Sequence, residues 1–570
     1  QPDQRPELAR EKLLEVHRAT GRKKLQIILD LPDPAAFVRR LPLEDLFFLV
    51  KELERDEAAE LVAMAAPHQV RGMIDLDCWK KDRVDSGRLK DWLSLLREGG
   101  GESLKEVLGT IDSSLLILQL RRSLRVYRRE PEESPEELEE DFDFTLDNNY
   151  FIRFRRPQEE SLLRALLEAL FEQDHHRYLL IMEALLWSLD SILEEEAYRW
   201  RKSRLEDRGF PDYFDAIEVY HYLEPEGAEE RLEQKEVLDP AGEPPEEGIM
   251  APSYPVLARM PGNFFLESLG AGFTEEERER LQWELVYLAN RGLVADRIDL
   301  SEPEAARGSL QRVQGYLNIG LEYLSGGRPE RARELLRERY LQRLFQVGHS
   351  LLLKLGRRAA RLEARGRLSP AGVPLSLLDS PYREVTLGLL KTRPQFFTGF
   401  GGAGGTEYRD FRELKEAQLV EETLEKVEFL EEFFFERLGV RPQALKELSL
   451  EGCYPDLLED ITLSTIFLTS WSWKVLEGSF DFLPLDAGRL EELHRALTEL
   501  SRGRLTLRES LRSELFLWLE GIPAGDPKRL AHGQEFLSFC LNILEDEFIP
   551  LETSRGIDPR YIRGLLVRVY

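Results

Sequence analysis

The stretch "LPLEDLFFLVKELERDEAAELVAMAAPHQVRGMIDL" at residues 41–76 decides the fold class of this chain. Its apolar residues recur three and four positions apart with charged residues between them, which is the pattern of amphipathic α-helices. Pro42 can stand at a helix start, and Pro67 interrupts the pattern before a new helix begins. The stretch predicts short helices joined by tight turns, and strand-like alternation is rare elsewhere in the chain.

The same stretch, extended by "DCW" to residue 79, resembles the intracellular N-terminal domain of MgtE-type magnesium transporters. The resemblance covers residues 31–125 and rests on the spacing of leucine and alanine. It implies a superhelix of short helices, an architecture related to that of flagellar motor switch proteins. Acidic residues of that domain help to bind magnesium in the transporters, but the resemblance carries only the fold to this chain.

Two further segments are similar to an uncharacterised family of bacterial hypothetical proteins. They are "EEEAYRWRKSRLEDRGFPDYFDAIEVYHYLEP" (194–225) and "GYLNIGLEYLSGGRPERARELL" (315–336). This second resemblance covers most of the chain and implies no known activity.

Composition limits the class of protein and of partner. With 42% apolar and 32% charged residues the chain is globular, and its formal charge of −28 repels nucleic acid and anionic lipid. The segment from Arg312 to Arg367 is an exception, with thirteen Lys or Arg and five Asp or Glu. Either these cations pair with acidic helices of the same protein, or they form a local basic face.

Cysteine usage and hydropathy indicate a cytoplasmic protein without membrane insertion. Cys78, Cys453 and Cys540 are too few and too scattered for a disulfide framework or a thiolate zinc site. The longest uncharged stretches run about thirteen residues, such as "ITLSTIFLTSWSW" at 461–473, whereas a membrane span needs about twenty apolar residues.

Shifts in composition predict an array of several units. An acidic run at 129–143 is read as a solvated linker, and "FDFTLDNNYFIRF" (142–154) is the best β-hairpin candidate because Asp and Asn tolerate left-handed turns. Tyr408 begins the strongest helical pattern. The predicted units are a helical arm at 1–30, an MgtE-N-like superhelix at 31–128, a linker with the hairpin at 129–156, a helical unit at 157–223, a Pro/Gly/Glu-rich linker at 224–262, a helical unit at 263–395, a Gly-rich loop at 396–407 and a C-terminal helical unit at 408–570.

A tight helical hairpin is predicted at 316–336. Its features are Gly320 three residues before Tyr323, a Gly-Gly turn and Ala332, a spacing that resembles one tetratricopeptide unit. No clean repeat of that length follows, so we interpret it as an ordinary α-hairpin.

The glycine-rich stretch "TGFGGAGGT" (398–406) is the main candidate for a binding loop. Gly399, Gly401 and Gly404 match the G-x-G-x-x-G of dinucleotide-binding turns. A helix beginning near Glu407, with Thr406 as its cap, supplies half of that context, but no βαβ unit surrounds it and no Gly-Lys-Ser/Thr follows.

Three functions for this loop stay open: a connection between helices, a lid over an anion or other ligand, and a nucleotide site. Lys391, Arg393 and Arg409 are the nearest cations for an anion, so a small-molecule ligand is an option.

Metal and nucleophile chemistry find little support in the sequence. Glu-x-x-His, which places both groups on one helix face in di-iron bundles, occurs at Glu172/His175, Glu218/His221 and Glu491/His494. These pairs lie in different predicted units and glutamate is abundant, so we expect solvated faces or ion pairs, with no metal and no cofactor. No nucleophile elbow is present, and whether the chain is an enzyme stays uncertain, with non-catalytic function favoured.

The sequence thus predicts a mostly α-helical, multi-unit array or α-superhelix with one small β-hairpin. The leading hypothesis is a protein–protein interaction or scaffold protein with a partner of unknown identity, because stacked helices make extended surfaces. The first alternative is a ligand- or metal-responsive regulator, or an unrecognised enzyme, with the Gly-rich loop as a lid. The second is nucleic-acid binding through the 312–367 basic region, which the overall acidity disfavours.

Overall fold

The computed structural model describes residues 12–232, 234–235, 263–269, 272–400, 407–501, 504–521, 527–551 and 557–569, apart from the single positions 14, 17, 18, 20, 81, 136, 137, 139, 140, 559, 561 and 563. The chain divides into two compact units, Gln1–His349 and Ser350–Tyr570. Both are mostly α-helical, as the sequence predicts.

The first unit contains α-helices from α1 to the beginning of α18 and five short strands. The helices are α1 (Arg22–Leu29), α2 (Pro34–Arg40), α3 (Leu43–Glu52), α4 (Arg55–Met64), α5 (Pro67–Asp77), α6 (Ser86–Glu98), α7 (Gly101–Leu108), α8 (Ser113–Ser123), α9 (Glu160–Gln173), α10 (His175–Trp187), α11 (Asp190–Glu206), α12 (Tyr213–Ala216), α13 (Ala228–Arg231), α14 (Phe264–Leu269), α15 (Glu275–Ala295), α16 (Pro303–Ser325), α17 (Pro329–Glu338) and α18 (Leu341–Ala364). The strands are β1 (Trp79–Lys80), β2 (Arg83–Val84), β3 (Leu124–Arg128), β4 (Phe144–Thr145) and β5 (Tyr150–Phe154).

The stretch 41–76 forms three short helices, α3 to α5, in agreement with its apolar spacing. Pro42 is the N-cap of α3 and Pro67 is the first residue of α5, where the missing N–H leaves no hydrogen bond unmade. Apolar residues of all three helices, including Phe47 and Met73, belong to one hydrophobic core that continues through α11.

The predicted β-hairpin is present and carries a third strand that the sequence did not indicate. β4 and β5 pair antiparallel across the turn, where Asn148 has a φ of 52° and the Asp147 Oδ1 accepts hydrogen bonds from the Asn149 and Tyr150 amides. β3 pairs with the other edge of β5, so the sheet order is β3-β5-β4.

Helices α16 and α17 form the predicted α-hairpin, and α16 crosses α18 at very short range. A Cβ added at Gly348 would lie 1.9 Å from the Tyr316 carbonyl oxygen, and one added at Gly320 would lie 1.9 Å from the Leu344 carbonyl oxygen. The two backbones therefore touch at a pair of glycines, and no larger residue fits at either position without separating the helices.

The second unit contains the rest of α18, seven further α-helices and seven short strands. The helices are α19 (Tyr382–Leu389), α20 (Leu414–Glu432), α21 (Pro442–Glu447), α22 (Leu463–Glu477), α23 (Leu490–Leu497), α24 (Glu509–Glu520) and α25 (Pro527–Ile543). The strands are β6 (Phe396–Phe397), β7 (Tyr408–Arg409), β8 (Cys453–Tyr454), β9 (Leu485–Asp486), β10 (Thr498–Ser501), β11 (Arg504–Leu507) and β12 (Val567–Arg568).

The prediction that a helix begins near Glu407 is wrong. Tyr408 and Arg409 form the strand β7, and α20 begins at Leu414. The reason is the pairing of β7 with β6 across the glycine-rich loop, because strand pairing removes these residues from the helical pattern that their side chains suggest.

The aromatic triplet at the end of α20 lies mostly in the core. Phe433 and Phe434 are fully buried in one turn of π-helix (Phe433–Arg437), whereas Phe435 is half-buried. Phe434 packs edge-on against Phe536 of α25, with ring centroids 5.6 Å apart. The wider turn of the π-helix lets neighbouring aromatic residues bury more than one face.

The last strand, β12, lies between β8 and β9, antiparallel to β8 and parallel to β9. The Leu566 amide also donates to the Thr469 hydroxyl of α22 at 2.9 Å. The basic, apolar sequence around β12 therefore docks within the second unit. Strands of two residues are too short to show alternation, which is why the sequence indicated only one hairpin.

Candidate functional site

The glycine-rich stretch 398–406 lies in the loop of a β-hairpin. β6 and β7 pair antiparallel, with Phe396 opposite Arg409 and Phe397 opposite Tyr408. The Thr398 amide and hydroxyl both donate to the Glu407 carbonyl oxygen, at 2.9 and 2.8 Å, and close the base of the loop.

Of the three glycines that match the dinucleotide pattern, Gly399 lies in the turn that follows β6. Gly401 and Gly404 lie outside the described residues. A hairpin differs from the strand–turn–helix in which that pattern binds pyrophosphate, because no helix N-terminus follows the last glycine directly.

The cations near this hairpin are held by residues of the protein. The Lys391 ammonium lies 3.7 Å from the centre of the Tyr408 ring, and the Arg409 guanidinium pairs with Glu416 at 2.5 Å and stacks on Phe396. Because successive residues of a strand point to opposite faces, Lys391 and Arg409 lie on opposite faces of the hairpin.

Arg393 lies in the bend before β6 and is half-buried. The described residues thus do not bring Lys391 and Arg409 to one point, and any anion at this loop would have to displace existing partners.

The basic region 312–367 is largely matched by carboxylates, as one of the two expectations had it. The pairs are Arg312 with Asp296, Arg331 with Glu229 and Glu334, Arg333 with Glu330, Arg337 with Glu277, Arg358 with Glu421 and Glu428, Arg365 with Glu431, and Arg367 with Glu436. Much of the local positive charge is therefore neutralised within the protein.

Two of the Glu-x-x-His pairs have structural contacts. Glu172 ends α9 and binds Lys105 at 3.0 Å, whereas His175 begins α10 and packs on Phe171. His494 is buried in α23, where its Nε2 lies 3.0 Å from the Ile549 carbonyl oxygen.

The third pair, Glu218 and His221, lines a cavity of the first unit. Within the described parts of the chain, no group of three or more His, Cys, Asp or Glu side chains could hold a metal ion.

An exposed apolar surface at the turn between α10 and α11 was not singled out by the sequence. Leu180, Trp187, Leu189 and Ile192 are 58%, 74%, 64% and 59% exposed. We call these four residues the α10–α11 surface. Leu180 and Trp187 are seven residues apart and share one face of α10, whereas Tyr178, Ile181 and Met182 bury the opposite face.

The turn that carries this surface is fixed by Arg121 of α8. Its guanidinium donates to the carbonyl oxygens of Ala184 and Ser188 at 2.6 Å each, and pairs with Asp190 at 2.5 Å. These carbonyls end α10, where they lack partners inside the helix, so a cation is favourable there. The surface is therefore presented in one conformation.

Helix α11 is anchored from its buried face. Arg204 forms two hydrogen bonds with the buried Asp75 of α5, at 2.7 and 2.9 Å, and two with Asp112, at 3.1 and 2.6 Å. Such bidentate contacts fix orientation as well as distance. The opposite face of the helix, which carries Ile192, stays in solvent.

The surroundings of the α10–α11 surface are acidic. From residue 180 to residue 196 the chain has five carboxylates and no Lys or Arg. Glu183 accepts from the Tyr150 hydroxyl, and burial together with this carboxylate raises the pKa of Tyr150 to about 12, so the hydroxyl stays a donor. Glu195 and Glu196 are exposed and form no ion pair with any residue that the structure describes.

A signal for this surface does exist in the sequence. The run "YLLIMEALLW" at 178–187 has more apolar residues than a single helix face can carry. The excess predicts either burial on several sides or an uncovered face, and only the packing decides between the two.

These features define a mostly α-helical protein of two compact units, one of which presents a fixed apolar surface with acidic surroundings. The chain belongs to a family of unknown function, DUF6178, which matches residues 4–568. Neither the curated proteins nor the solved structures gave a match. The likeness of 31–125 to the magnesium-transporter domain is not among these findings and stays a prediction. No helix in the described ranges is long and apolar enough to cross a membrane.

Proposed function

We propose that this protein is a protein–protein interaction or scaffold protein that binds a partner at the α10–α11 surface. The observation that carries the proposal is Trp187, a large aromatic side chain that is 74% exposed beside three exposed aliphatic ones. Clustered exposed apolar residues mark interaction sites, and tryptophan is enriched among the residues that dominate binding energy. The fixed turn supports the proposal, because a preformed surface loses little entropy on binding.

The partner that best fits this surface combines apolar side chains with Lys or Arg. Glu195 and Glu196 offer unneutralised charge next to Ile192, and oppositely charged rims speed association and select partners. A second copy of this chain would bring its own net charge of −28, which disfavours self-association at low salt. We therefore propose a basic, amphipathic helical segment as the partner.

A pair of synthetic helices tests this proposal. Both carry the same leucine face, with lysine on the flanks of one and glutamate on the flanks of the other, and fluorescence anisotropy reports binding to the full chain. The lysine peptide should bind at least about tenfold more tightly, with a difference that shrinks as salt is raised. Equal binding of both peptides, or binding of neither, would contradict the proposal.

The position of the site is tested by exchanging one exposed leucine at a time. Leu180→Glu should weaken binding of the lysine peptide by about tenfold or more. Leu517→Glu is the matched control, because Leu517 is also an exposed helical leucine, 67% accessible, in the second unit. If sedimentation shows a dimer that Leu180→Glu dissociates, the partner is a second copy and not a basic segment.

We also propose a cytoplasmic location. Cys78, Cys453 and Cys540 are buried free thiols, which is the usual state in a reducing compartment. The two alternative functions have less support. A ligand lid at Gly399, Gly401 and Gly404 has no cluster of cations in the described residues, and the arginines available to nucleic acid are largely paired.

A further inference from the structure

The first unit contains a cavity of about 1210 Å³ whose lining is strongly charged. Four parts of the chain surround it: the end of α11, the segment 209–221 with α12, helix α15 and the beginning of α18. The volume exceeds the roughly 300–1,000 Å³ of common small-molecule sites. It is separate from the α10–α11 surface, because none of the four residues of that surface lines it.

One part of the lining is acidic and lacks cationic partners. Asp207, Asp215 and Glu218 are exposed in the cavity and form no ion pair with any described residue. They come from the end of α11 and the segment after it. A cluster of this kind attracts a cation but lacks the geometry of a metal site within the described residues.

Another part of the lining is basic, and its guanidinium groups are held by neutral amides. Arg291 of α15 donates to the Gln342 side-chain oxygen at 2.6 Å, and Arg343 donates to the Gln346 side-chain oxygen at 3.0 Å. Arg291 forms no ion pair in the described part of the protein. Amide partners orient a guanidinium but leave its charge in place, so it can still bind an anion.

A glutamine keeps the two parts of the lining in a fixed relation. The Gln346 amide nitrogen donates to the backbone oxygen of Glu218 at 2.9 Å. It therefore joins the segment that carries the carboxylates to the helix that carries Arg343, without neutralising either charge.

The remaining acidic residue of α15 in the cavity is already satisfied. Glu284 binds the buried Lys235 at 2.7 Å and accepts from the Leu341 amide at 3.3 Å. Burial lowers the pKa of Lys235, so a loss of Glu284 would leave an unfavourable buried charge. This pair is structural and leaves the other charged groups for a ligand.

We infer that the cavity binds a small molecule that carries both an ammonium group and an anionic group. The ammonium lies at Asp207, Asp215 and Glu218, and the carboxylate or phosphate of the ligand lies at Arg291 and Arg343. The carrying observation is a single cavity with opposite charges that are not paired with each other. A ligand with both charges satisfies both sets, whereas an ion of one sign leaves the other set unpaired. This goes beyond the proposed function and does not depend on it.

Titration calorimetry with four simple probes tests the inference on the full chain. O-phosphoethanolamine and β-alanine carry both charges and differ in the anion, whereas ethanolamine and inorganic phosphate carry one charge each. At least one of the first two should bind tenfold or more tightly than either single-charge probe, and comparing them distinguishes phosphate from carboxylate. The inference is overturned if no two-charge probe binds saturably, or if phosphate or ethanolamine alone binds equally well.

Single substitutions locate the binding. Arg291→Gln and Asp215→Asn should each weaken the two-charge probe by about tenfold, because each removes one charge-assisted contact. Arg125→Gln and Asp82→Asn are matched controls, since both residues are exposed in the first unit away from the cavity lining. Circular dichroism must show unchanged folding for every variant. Equal losses in the test and control variants would overturn the assignment of the site.

Discussion

The two halves of helix α18 are held by opposite means, each within its own unit. In the first unit, Gly348 touches the backbone of α16 at Tyr316 and Gly320, so contact depends on the absence of side chains. In the second unit, Arg358 and Arg365 reach the carboxylates of Glu428 and Glu431 on α20, so contact depends on long side chains. Close backbone contact tolerates no substitution, whereas exposed ion pairs tolerate most of them, and the comparison can be tested from one end of the helix to the other.

The largest effect is expected for Gly348→Ala. The new Cβ would lie 1.9 Å from the Tyr316 carbonyl oxygen and 2.9 Å from the Gly320 amide nitrogen, so α16 and α18 must separate. We expect the free energy of unfolding of the first unit to fall by about 3 kcal/mol or more. Hydrogen exchange of peptides from each unit, followed through a urea series, measures this loss and assigns it to a unit.

Gly308→Ala on α16 is the matched control for this substitution. A Cβ there has no heavy atom within 4 Å, so it should stabilise the helix by about 0.5–1 kcal/mol. If the two variants have similar stability, the glycine contact does not hold the crossing.

An intermediate effect is expected for Arg365→Gln in the second unit. Glu431 is 1% exposed and one of its oxygens already lacks a hydrogen-bond partner, so removing Arg365 leaves a buried charge unpaired. We expect a loss of about 1–3 kcal/mol in the free energy of unfolding. The double variant with Glu431→Gln should recover most of this loss, because no buried charge remains. A double variant as unstable as the single one would refute the charge argument.

A smaller effect is expected for Arg358→Gln. Its partners Glu421 and Glu428 are 52% and 38% exposed, so solvent screens both pairs. The loss in unfolding free energy should stay below about 1 kcal/mol and shrink in 1 M NaCl. Urea unfolding at low and high salt measures both quantities, and a loss that is independent of salt would point to packing and not to charge.

The smallest effect concerns pH at the junction of α20 and α25. Hydrogen bonding from Arg529 lowers the pKa of Glu432 below its ordinary value of 4.5. A lowered native pKa means that the pair stabilises the folded state above about pH 4.5 and loses this contribution as pH falls through the native pKa. Arg529→Gln should therefore cost a few tenths of a kcal/mol at pH 7 and nothing near pH 3.

Urea unfolding of both proteins across this pH range measures the difference. The Gly348 contact contains no titratable group, so the gap between Gly348→Ala and the parent protein should not follow the same titration. A gap for Arg529→Gln that is constant with pH would show that Glu432 is not its partner.

Local sequence signals accounted for much of the fold and little of the site. The helices of 41–76 and the turn at Asp147, Asn148 and Asn149 are fixed by spacing and by turn chemistry within a few residues. The helix predicted at Glu407 failed because Tyr408 pairs with Phe397 across the glycine-rich loop. The predicted anion cluster at Lys391, Arg393 and Arg409 depended on side-chain direction, which the hairpin sets.

Sequence density also proved a poor guide to which glycines the fold requires. The run at 398–406 attracted a functional hypothesis, whereas the glycines that admit no side chain are single and 28 positions apart, at Gly320 and Gly348. The spacing around Gly320 did predict an α-hairpin, but its contact with Gly348 is made by a different helix. No pattern within one segment reveals that contact.

The sequence by itself determined that this protein is helical, acidic and built from several short elements, because periodicity, charge and turn residues act over a few positions along the chain. The tertiary structure alone decided that Trp187 stays in solvent, that Arg291 meets a glutamine and not a glutamate, and that two glycines form a helix crossing. These outcomes depend on which distant surfaces cover one another, and burial, partners and close approach are properties of packing.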